Sequence, residues 1–386
     1  MPSPHPSRSR AVAPNPVRKL EDRTLTGATM GSSPVSLRTS LAVLTLALPA
    51  VAQSFAVSPP QCYINEGSTL ASEPFSMISR YQQITGDLTG TPRLIQALMF
   101  RRDGIQHPDT SYIARTIDCE IVCADSSYAA ASSNFASNLL NPVVVSTRKL
   151  FNLPDLGAWA NRMPSPDTIV LPFDSGYAYT GRLDIAYELK TFAVSSSNGY
   201  PVDAVSLRDT ALTGQFISLG GGCLTANGVM RLRSIFTTHS TNATTTLDWS
   251  VSSGPSTTTG GLLVGLTNPN VFDPMLCPHI GGNWLKSDGV LVSLVGSIDA
   301  LGNWTIPTMT IPFTPSMVGA TVSSQAVAVD LSQQGFGVAV SNGLSSKVPP
   351  GPSAFQIKRV MALGTGATSA TTGTLAPGLG FVTRYN

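Results

Sequence analysis

The sequence is poor in charged residues: Asp, Glu, Lys and Arg make up 12% of its 386 residues, about half the usual share. Hydrophobic residues stand at an ordinary 42%, which excludes a disordered chain, because disorder pairs low hydrophobicity with high net charge. Gly, Ser, Thr, Ala and Pro take the place of the missing charges. This composition is typical of all-β extracellular folds, in which Thr and Ser face solvent and Gly and Pro form turns.

The formal charge of +2 comes from the first 52 residues. Six of the 24 basic residues and two of the 22 acidic residues precede residue 53, which leaves 18 basic and 20 acidic residues and a charge of −2. Such a chain lacks the basic patch that binds nucleic acid or anionic lipid. We therefore expect no nucleic-acid partner.

Long hydrophobic runs are also missing. The apolar run at residues 41–48 is too short to cross a bilayer, which takes about 20 residues, so we expect no transmembrane segment in the mature chain. Arg38 precedes the run and Ala50-Val51-Ala52 follows it, which is the pattern of a secretory signal peptide cleaved after Ala52. We assign residues 30–52 to this peptide and residues 1–29 to an over-extended N-terminus. The mature protein is then secreted, periplasmic or held at the cell surface.

Apolar residues beyond position 52 alternate with polar ones, which predicts strands. Within residues 182–190, Leu183, Ile185, Tyr187 and Leu189 fall on one face. A second such strand covers residues 116–123, and its inward residues are Ile117, Cys119, Ile121 and Cys123.

Two stretches depart from simple alternation. Parity changes at Pro307 within residues 304–313, which predicts a bulge or an edge position. Only residues 128–140 have a helical pattern.

Many short strands, turn signals and almost no helix predict an all-β fold with two β-sandwich domains in tandem, of jelly-roll or Ig-like type. The Gly-rich joint at residues 219–222 separates an N-terminal sandwich, 53–218, from a C-terminal sandwich, 219–348. Residues 349–386 form a low-complexity loop and a closing strand that could join either domain.

Five cysteines follow the predicted cleavage site, in a compartment that permits disulfides. Cys223 and Cys277 are the only two in the second domain, so we expect them to pair. Cys119 and Cys123 share a strand face roughly 13 Å apart, beyond the reach of about 7 Å that a disulfide allows. Cys62 can pair with one of them, with Cys119 as the candidate, and the other is then a buried thiol. The same spacing disfavours a shared metal ion, and we expect neither metal nor cofactor.

Groups that carry out catalysis are scarce. Beyond residue 52 the chain has three histidines, His107, His239 and His279, and no hydrolase, metal or phosphate-binding motif. Aromatic residues offer a binding site instead: Tyr177 and Tyr179 share a strand face, and Trp159 lies in a loop. Together they are a candidate platform for stacking a sugar ring. The favoured alternative is that both tyrosines pack in the core.

Several short segments resemble secreted β-rich proteins of unknown function from planctomycete bacteria. In the second half these segments are Gly222-Cys223, Gly302-Asn303, Ile311-Pro312, Met317-Val318-Gly319, Gln325-Ala326-Val327 and Ser341-Asn342-Gly343-Leu344. The remaining part is similar to the partner that precedes such modules, through Tyr81-Gln82-Gln83, residues 93–98, Arg101-Arg102-Asp103, Tyr179-Thr180-Gly181, residues 370–374 and Val382-Thr383-Arg384. The resemblance implies exported β-sandwiches and supplies no activity.

The sequence therefore favours a non-enzymatic extracellular or surface protein that binds a glycan or another protein. An extracellular hydrolase, glycan-acting or esterase, is the first alternative, with an active site assembled from residues distant in sequence. A structural component of the envelope or matrix is the second.

Overall fold

The computed structural model describes residues 55–67, 69–104, 113–157, 162–206, 211–239, 243–273, 276, 284–289, 291–333, 335–351 and 355–386. The predicted signal peptide lies outside these ranges. The described residues form strands, turns and four short 3-10 helices, and no α-helix occurs among them. The predicted all-β fold is confirmed.

Ten strands precede residue 207. They are β1 (Ala56–Ser58), β2 (Thr69–Ala71), β3 (Ser79–Thr85), β4 (Arg93–Phe100), β5 (Arg115–Ser126), β6 (Leu140–Leu153), β7 (Arg162–Met163), β8 (Ile169–Tyr179), β9 (Asp184–Val194) and β10 (Val202–Ser206).

Fifteen strands lie between residues 211 and 347. They are β11 (Ala211–Thr213), β12 (Phe216–Leu219), β13 (Leu224–Thr225), β14 (Gly228–Val229), β15 (Arg231–His239), β16 (Thr244–Ser252), β17 (Thr258–Gly265), β18 (Val271–Phe272), β19 (Trp284–Leu285), β20 (Val292–Ile298), β21 (Trp304–Thr305), β22 (Met309–Pro312), β23 (Thr321–Val329), β24 (Val338–Val340) and β25 (Gly343–Lys347).

The C-terminal segment adds β26 (Ile357–Leu363), β27 (Thr374–Pro377), β28 (Leu379–Phe381) and β29 (Thr383–Tyr385). The 3-10 helices are Pro60–Tyr63, Ala136–Asn138, Pro315–Met317 and Ala367–Ser369. Within the described ranges, no helix has the length and apolar character needed to cross a membrane.

The first region comprises residues 55–206 and 355–386 and contains three antiparallel sheets. Their strand orders are β1-β29-β4-β8, β2-β10-β28 and β27-β26-β3-β9-β5-β6. The C-terminal segment thus contributes strands to all three, with β26 between β27 and β3 and β29 between β1 and β4. The predicted closing strand is several strands, and they pair within the first region.

Side chains from these sheets meet in one core, as in a sandwich. Ile117, Cys119, Ile121 and Cys123 of β5 are fully buried there, as their alternation predicts. Ile185, Tyr187 and Leu189 of β9 are buried with them, whereas Leu183 precedes the strand and is exposed.

The outer face of β9 is covered as well. Ala186 is buried beside Phe135 and Val360 in a second, smaller apolar cluster. Glu188 is buried and pairs with Arg80 of β3. The half-exposed strand predicted from alternation is therefore covered on both faces over much of its length.

The second region, residues 211–351, has two main antiparallel sheets, one of which also includes β7 (Arg162–Met163). One has the order β11-β15-β16-β21, with β22 also paired to β16, and the other the order β20-β17-β23-β25-β12-β7, with β24 paired to β23. Their facing side chains form a separate core that includes Trp249, Leu262 and Trp304. The described residues from 55 onward lie in one compact unit, and the division into two tandem domains at residue 218 stays a prediction.

Pro307 marks a break in the strand pairing, as predicted. Trp304 pairs with Val251, but Met309 pairs with Leu247, so the register along β16 shifts by one residue between β21 and β22. Because Pro has no N–H to donate, a strand is interrupted where it occurs.

The predicted helix over residues 128–140 is wrong. Those residues form turns and one 3-10 turn, and β6 begins at Leu140. Asn134 accepts hydrogen bonds from the N–H groups of Ala136 and Ser137, and Asn138 accepts one from the N–H of Ser132. Such local side-chain bonds compete with helix formation.

Candidate functional site

The predicted tyrosine platform is not formed. Tyr177 and Tyr179 are 6% and 2% exposed and lie in the core of the first region. Their hydroxyls donate to Asp125 Oδ1 at 3.2 Å and to the carbonyl of Leu183 at 2.6 Å. Both rings are therefore unavailable to a ligand, because β8 turns this face toward the facing sheet. Trp159 lies outside the described residues.

Three cysteines are free and fully buried: Cys62, Cys119 and Cys123. The expected Cys62–Cys119 pair is not formed, because Cys62 packs with Val205 and Phe355 in a small cluster while Cys119 lies in the main core. Burial raises the thiol pKa of all three. Cys223 is buried and its Sγ accepts the N–H of Val340 at 2.8 Å. Cys277 lies outside the described residues, so its pairing with Cys223 stays a prediction.

Of the three histidines beyond residue 52, only His239 lies within the described residues. The ring of His239 contacts the hydroxyl of Thr246 on the neighbouring strand at 3.2 Å, and His107 and His279 lie outside the described residues. Within the described part of the chain, no group of three His, Cys, Asp or Glu side chains has the geometry to hold a metal ion.

A pocket of about 430 Å³ lies at the start of the first region. Its wall is formed by β1, the 3-10 helix Pro60–Tyr63, the turn that follows β3 and the first residue of β4. Four of its lining side chains are aromatic or charged: Phe55, Tyr63, Asp87 and Arg93. We call this the aromatic pocket, and its volume is in the range of small-molecule sites, about 300–1,000 Å³.

Two aromatic rings form one side of the aromatic pocket. The centroids of Phe55 and Tyr63 are 5.6 Å apart and their planes are inclined by 37°. Tyr63 is 55% exposed. The guanidinium of Arg384 lies 3.7 Å from the centroid of Phe55 and pairs with Asp167 at 3.2 Å. Arg384 therefore holds the ring of Phe55 in place, while the ring of Tyr63 is accessible.

The charged groups of the aromatic pocket are oriented but do not pair with each other. Asp87 accepts a hydrogen bond from the Ser58 hydroxyl at 2.9 Å, and burial raises the pKa of its carboxyl. Arg93 Nε lies 3.4 Å from the carbonyl of Thr91, and no partner within the described residues reaches its buried Nη1. The pocket thus presents a carboxylate and a guanidinium beside an exposed ring.

No motif in the sequence predicts the aromatic pocket. Its residues come from two segments, 55–63 and 87–93, which meet because β1 pairs with β29, and β29 in turn pairs with β4. The only hint is an aromatic residue on each side of Pro59-Pro60, where prolines hold the chain in a rigid turn.

A second group of charged side chains is buried beside the second region. It consists of Glu66, Arg101, Asp203 and Arg233, and we call it the buried ion cluster. Arg101 contacts Asp203 Oδ2 at 2.5 Å and donates to the carbonyl of Asn65 at 2.6 Å. Glu66 Oε1 accepts the N–H of Gly104 at 2.6 Å, and Arg233 of β15 donates to the carbonyl of the same glycine.

Burial governs the protonation of this cluster. Desolvation and the nearby charge of Asp203 raise the pKa of Glu66 well above its ordinary value, against the opposing effect of Arg101. Desolvation raises the pKa of Asp203 to about 6, although Arg101 and the N–H of Gly67 lower it. The exposed fraction of all four side chains is at most 8%. We therefore assign the cluster a structural role.

Comparison with known proteins identifies no relative: no family model, curated protein or solved structure matches the chain.

Proposed function

We propose that this is an exported, non-enzymatic glycan-binding protein and that the aromatic pocket is its sugar site. A single observation carries the proposal: an accessible aromatic ring, a carboxylate and a guanidinium that forms no ion pair among the described residues line the same pocket. Sugar rings have an apolar face and a rim of hydroxyls, and this combination complements both.

Each group has a distinct part in this proposal. Tyr63 packs its flat, apolar ring against the apolar face of a sugar ring. Asp87 accepts hydrogen bonds from sugar hydroxyls, and the guanidinium of Arg93 donates to ring or hydroxyl oxygens. Phe55 and Arg384 support Tyr63 and do not need to contact the sugar.

Oligosaccharide binding to the purified mature chain tests the proposal. A broad glycan array would select a ligand, and calorimetry would compare its affinity for the wild type, Tyr63→Ala and Arg93→Gln. We expect each substitution to weaken binding about tenfold or more, which corresponds to about 1.4 kcal/mol. The control is Phe336→Ala, which removes an aromatic ring that is 60% exposed in the second region. An empty array, or affinity unchanged in both pocket variants, would reject the proposal.

Export is part of the same proposal and has its own test. Expression with a start at Met30, followed by mass spectrometry of the protein outside the cytoplasm, should give a chain beginning at Gln53. The same sample run with and without reductant should show the Cys223–Cys277 disulfide, since export supplies an oxidising compartment. Retention of an uncleaved chain in the cytoplasm would contradict export and leave the sugar site to be judged separately.

A further inference from the structure

A second concavity, of about 700 Å³, lies between the edge strands of two sheets in the first region. Residues 69–73, which include β2, form one wall, and β27 with Leu379 forms the other. Within the described residues β2 pairs only with β10, and β27 pairs only with β26. Each strand therefore has one edge without a neighbour. We call this concavity the edge groove.

Neither edge is protected by charge, although both strands are short, with three residues in β2 and four in β27. Proteins guard free strand edges with lysine, inward-pointing charge, proline or bulges, because an open edge can pair with another chain. The residues Thr69-Leu70-Ala71 of β2 and Thr374-Leu375-Ala376 of β27 carry no charge, and Pro377 guards only the end of β27. The main chain at the edge groove is thus open to an added strand.

One cation of the edge groove lacks a counter-ion. Arg359 lies on β26 opposite Ala376 of β27 and lines the groove. It is half-buried, takes part in none of the ion pairs of the described residues, and its buried Nε finds no hydrogen-bond acceptor among them. Glu73 lines the same groove without pairing to it. A cation without a counter-ion favours an anionic partner, and a ligand carboxylate in the groove would supply the counter-ion to the Arg359 guanidinium.

We propose that the edge groove binds an extended peptide that adds a strand to the free edge of β27 and places an acidic side chain on Arg359. Strand addition supplies main-chain hydrogen bonds, and side-chain pockets supply selectivity. A carboxylate on a guanidinium forms a short, charge-assisted bond. Glu73 disfavours a second acidic residue at the other wall. The site is separate from the aromatic pocket and does not depend on the glycan proposal.

The test uses a blocked heptapeptide, acetyl-Thr-Val-Thr-Asp-Thr-Val-Thr-amide, titrated into the isotope-labelled mature protein and followed by NMR. We expect shifts confined to β2, β27 and the Arg359 Nε–H. Binding should weaken about tenfold or more when the peptide Asp is replaced by Asn, the loss expected for one charge-assisted hydrogen bond. A peptide N-methylated at alternate positions should lose binding, because it cannot pair with a strand edge.

Protein variants complete the test. Arg359→Gln should weaken binding as much as the Asn peptide does, while Arg182→Gln, which alters an exposed arginine, should leave it unchanged. If Arg359→Gln does not fold, the Asn and N-methylated peptides still decide the outcome. Equal binding of the Asp and Asn peptides, or no shift in β27, would overturn the proposal. Binding of galacturonate alone at Arg359 would also overturn it, because an anion would then be recognised without strand addition.

Discussion

The two regions of the molecule satisfy their interior polar groups in different ways. In the first region seven ion pairs connect described residues, and three of them, Arg101–Asp203, Arg80–Glu188 and Lys190–Glu188, have a carboxylate that is at most 1% exposed. In the second region neutral groups make most of the buried polar contacts, and its buried charged residues among those described are Arg233 and Asp330. Asn342 accepts the N–H of Leu232 and donates to its carbonyl, and Ser234 bonds to Ser346 at 2.6 Å.

The apolar interiors differ too. In the first region Phe75, Tyr81, Phe100, Tyr187 and Phe381 form a chain of ring contacts with centroids 4.9–6.2 Å apart. The second region has one such contact, Phe236–Trp249, among its described residues. Another buried ring of this region, Trp304, packs on Gly296, where an added Cβ would lie 2.5 Å from the indole nitrogen. Ring-to-ring contacts run through the first core, whereas in the second core Trp304 fills the space above a glycine.

This difference indicates which region makes the stability of the protein depend on pH. Buried charges couple folding to pH, whereas neutral hydrogen bonds between Ser, Thr, Asn and Gln do not titrate. The first region should therefore set most of the pH dependence of stability, and the second should contribute less to it.

The largest effect is expected at the centre of the aromatic chain. Phe381→Ala should lower the free energy of unfolding by about 3–5 kcal/mol, because it removes a fully buried ring and leaves a cavity. Phe381 lies in the C-terminal segment, so the loss would show that this segment completes the first core. Urea unfolding followed by fluorescence measures it. A loss below about 1 kcal/mol would mean that the core closes without β28.

The next largest effect is expected in the buried ion cluster. Asp203→Asn should cost about 3–5 kcal/mol, because Arg101 is left as a buried charge without its counter-ion. The exposed pair Arg148–Asp118 offers the control, since Asp118→Asn should cost less than about 1 kcal/mol. Similar losses in the two variants would contradict the distinction between buried and surface pairs.

A smaller effect is expected from the neutral network of the second region. Asn342→Ala should cost about 1–3 kcal/mol, because the N–H and C=O of Leu232 lose their partner inside the protein. The free energy of unfolding of this variant should lie below that of the wild type by the same amount at pH 5 and at pH 8. A loss that changed between these two conditions would break the proposed contrast with the first region.

The smallest effect is expected from Glu66→Gln, and its sign is opposite. The folded-state pKa of Glu66 lies above its unfolded value, so the protonated form stabilises the fold fully below about pH 4.5, and this stability is lost as pH rises through the folded pKa. The Gln side chain keeps an oxygen that can accept the N–H of Gly104, and it carries no charge. We expect a gain of about 1 kcal/mol at pH 8 that disappears near pH 4. Thermal unfolding across this range measures it, and a gain independent of pH would refute the role of the Glu66 charge.

Local pattern was enough to predict the strands but not their surroundings. The alternation at Ile117 to Cys123 and at Ile185 to Leu189 identified inward faces that the structure buries completely. It could not show that Ala186 and Glu188 on the opposite face are covered too, since that cover comes from residues 128–139 and from β26. The tyrosines of β8 illustrate the same limit, because a strand face seen in sequence does not say whether it meets water or a facing sheet.

What the sequence determined by itself is the all-β class, the inward residues of its central strands and the break at Pro307, because each depends on neighbours within a few residues. The tertiary structure decided that the last thirty or so residues complete the first region, that Tyr177 and Tyr179 are core, and that Phe55, Tyr63, Asp87 and Arg93 share a pocket. These outcomes depend on antiparallel pairings such as β1 with β29, between residues more than 300 positions apart. Periodicity describes which face of a strand is apolar, and only the closing of distant strands determines what that face meets.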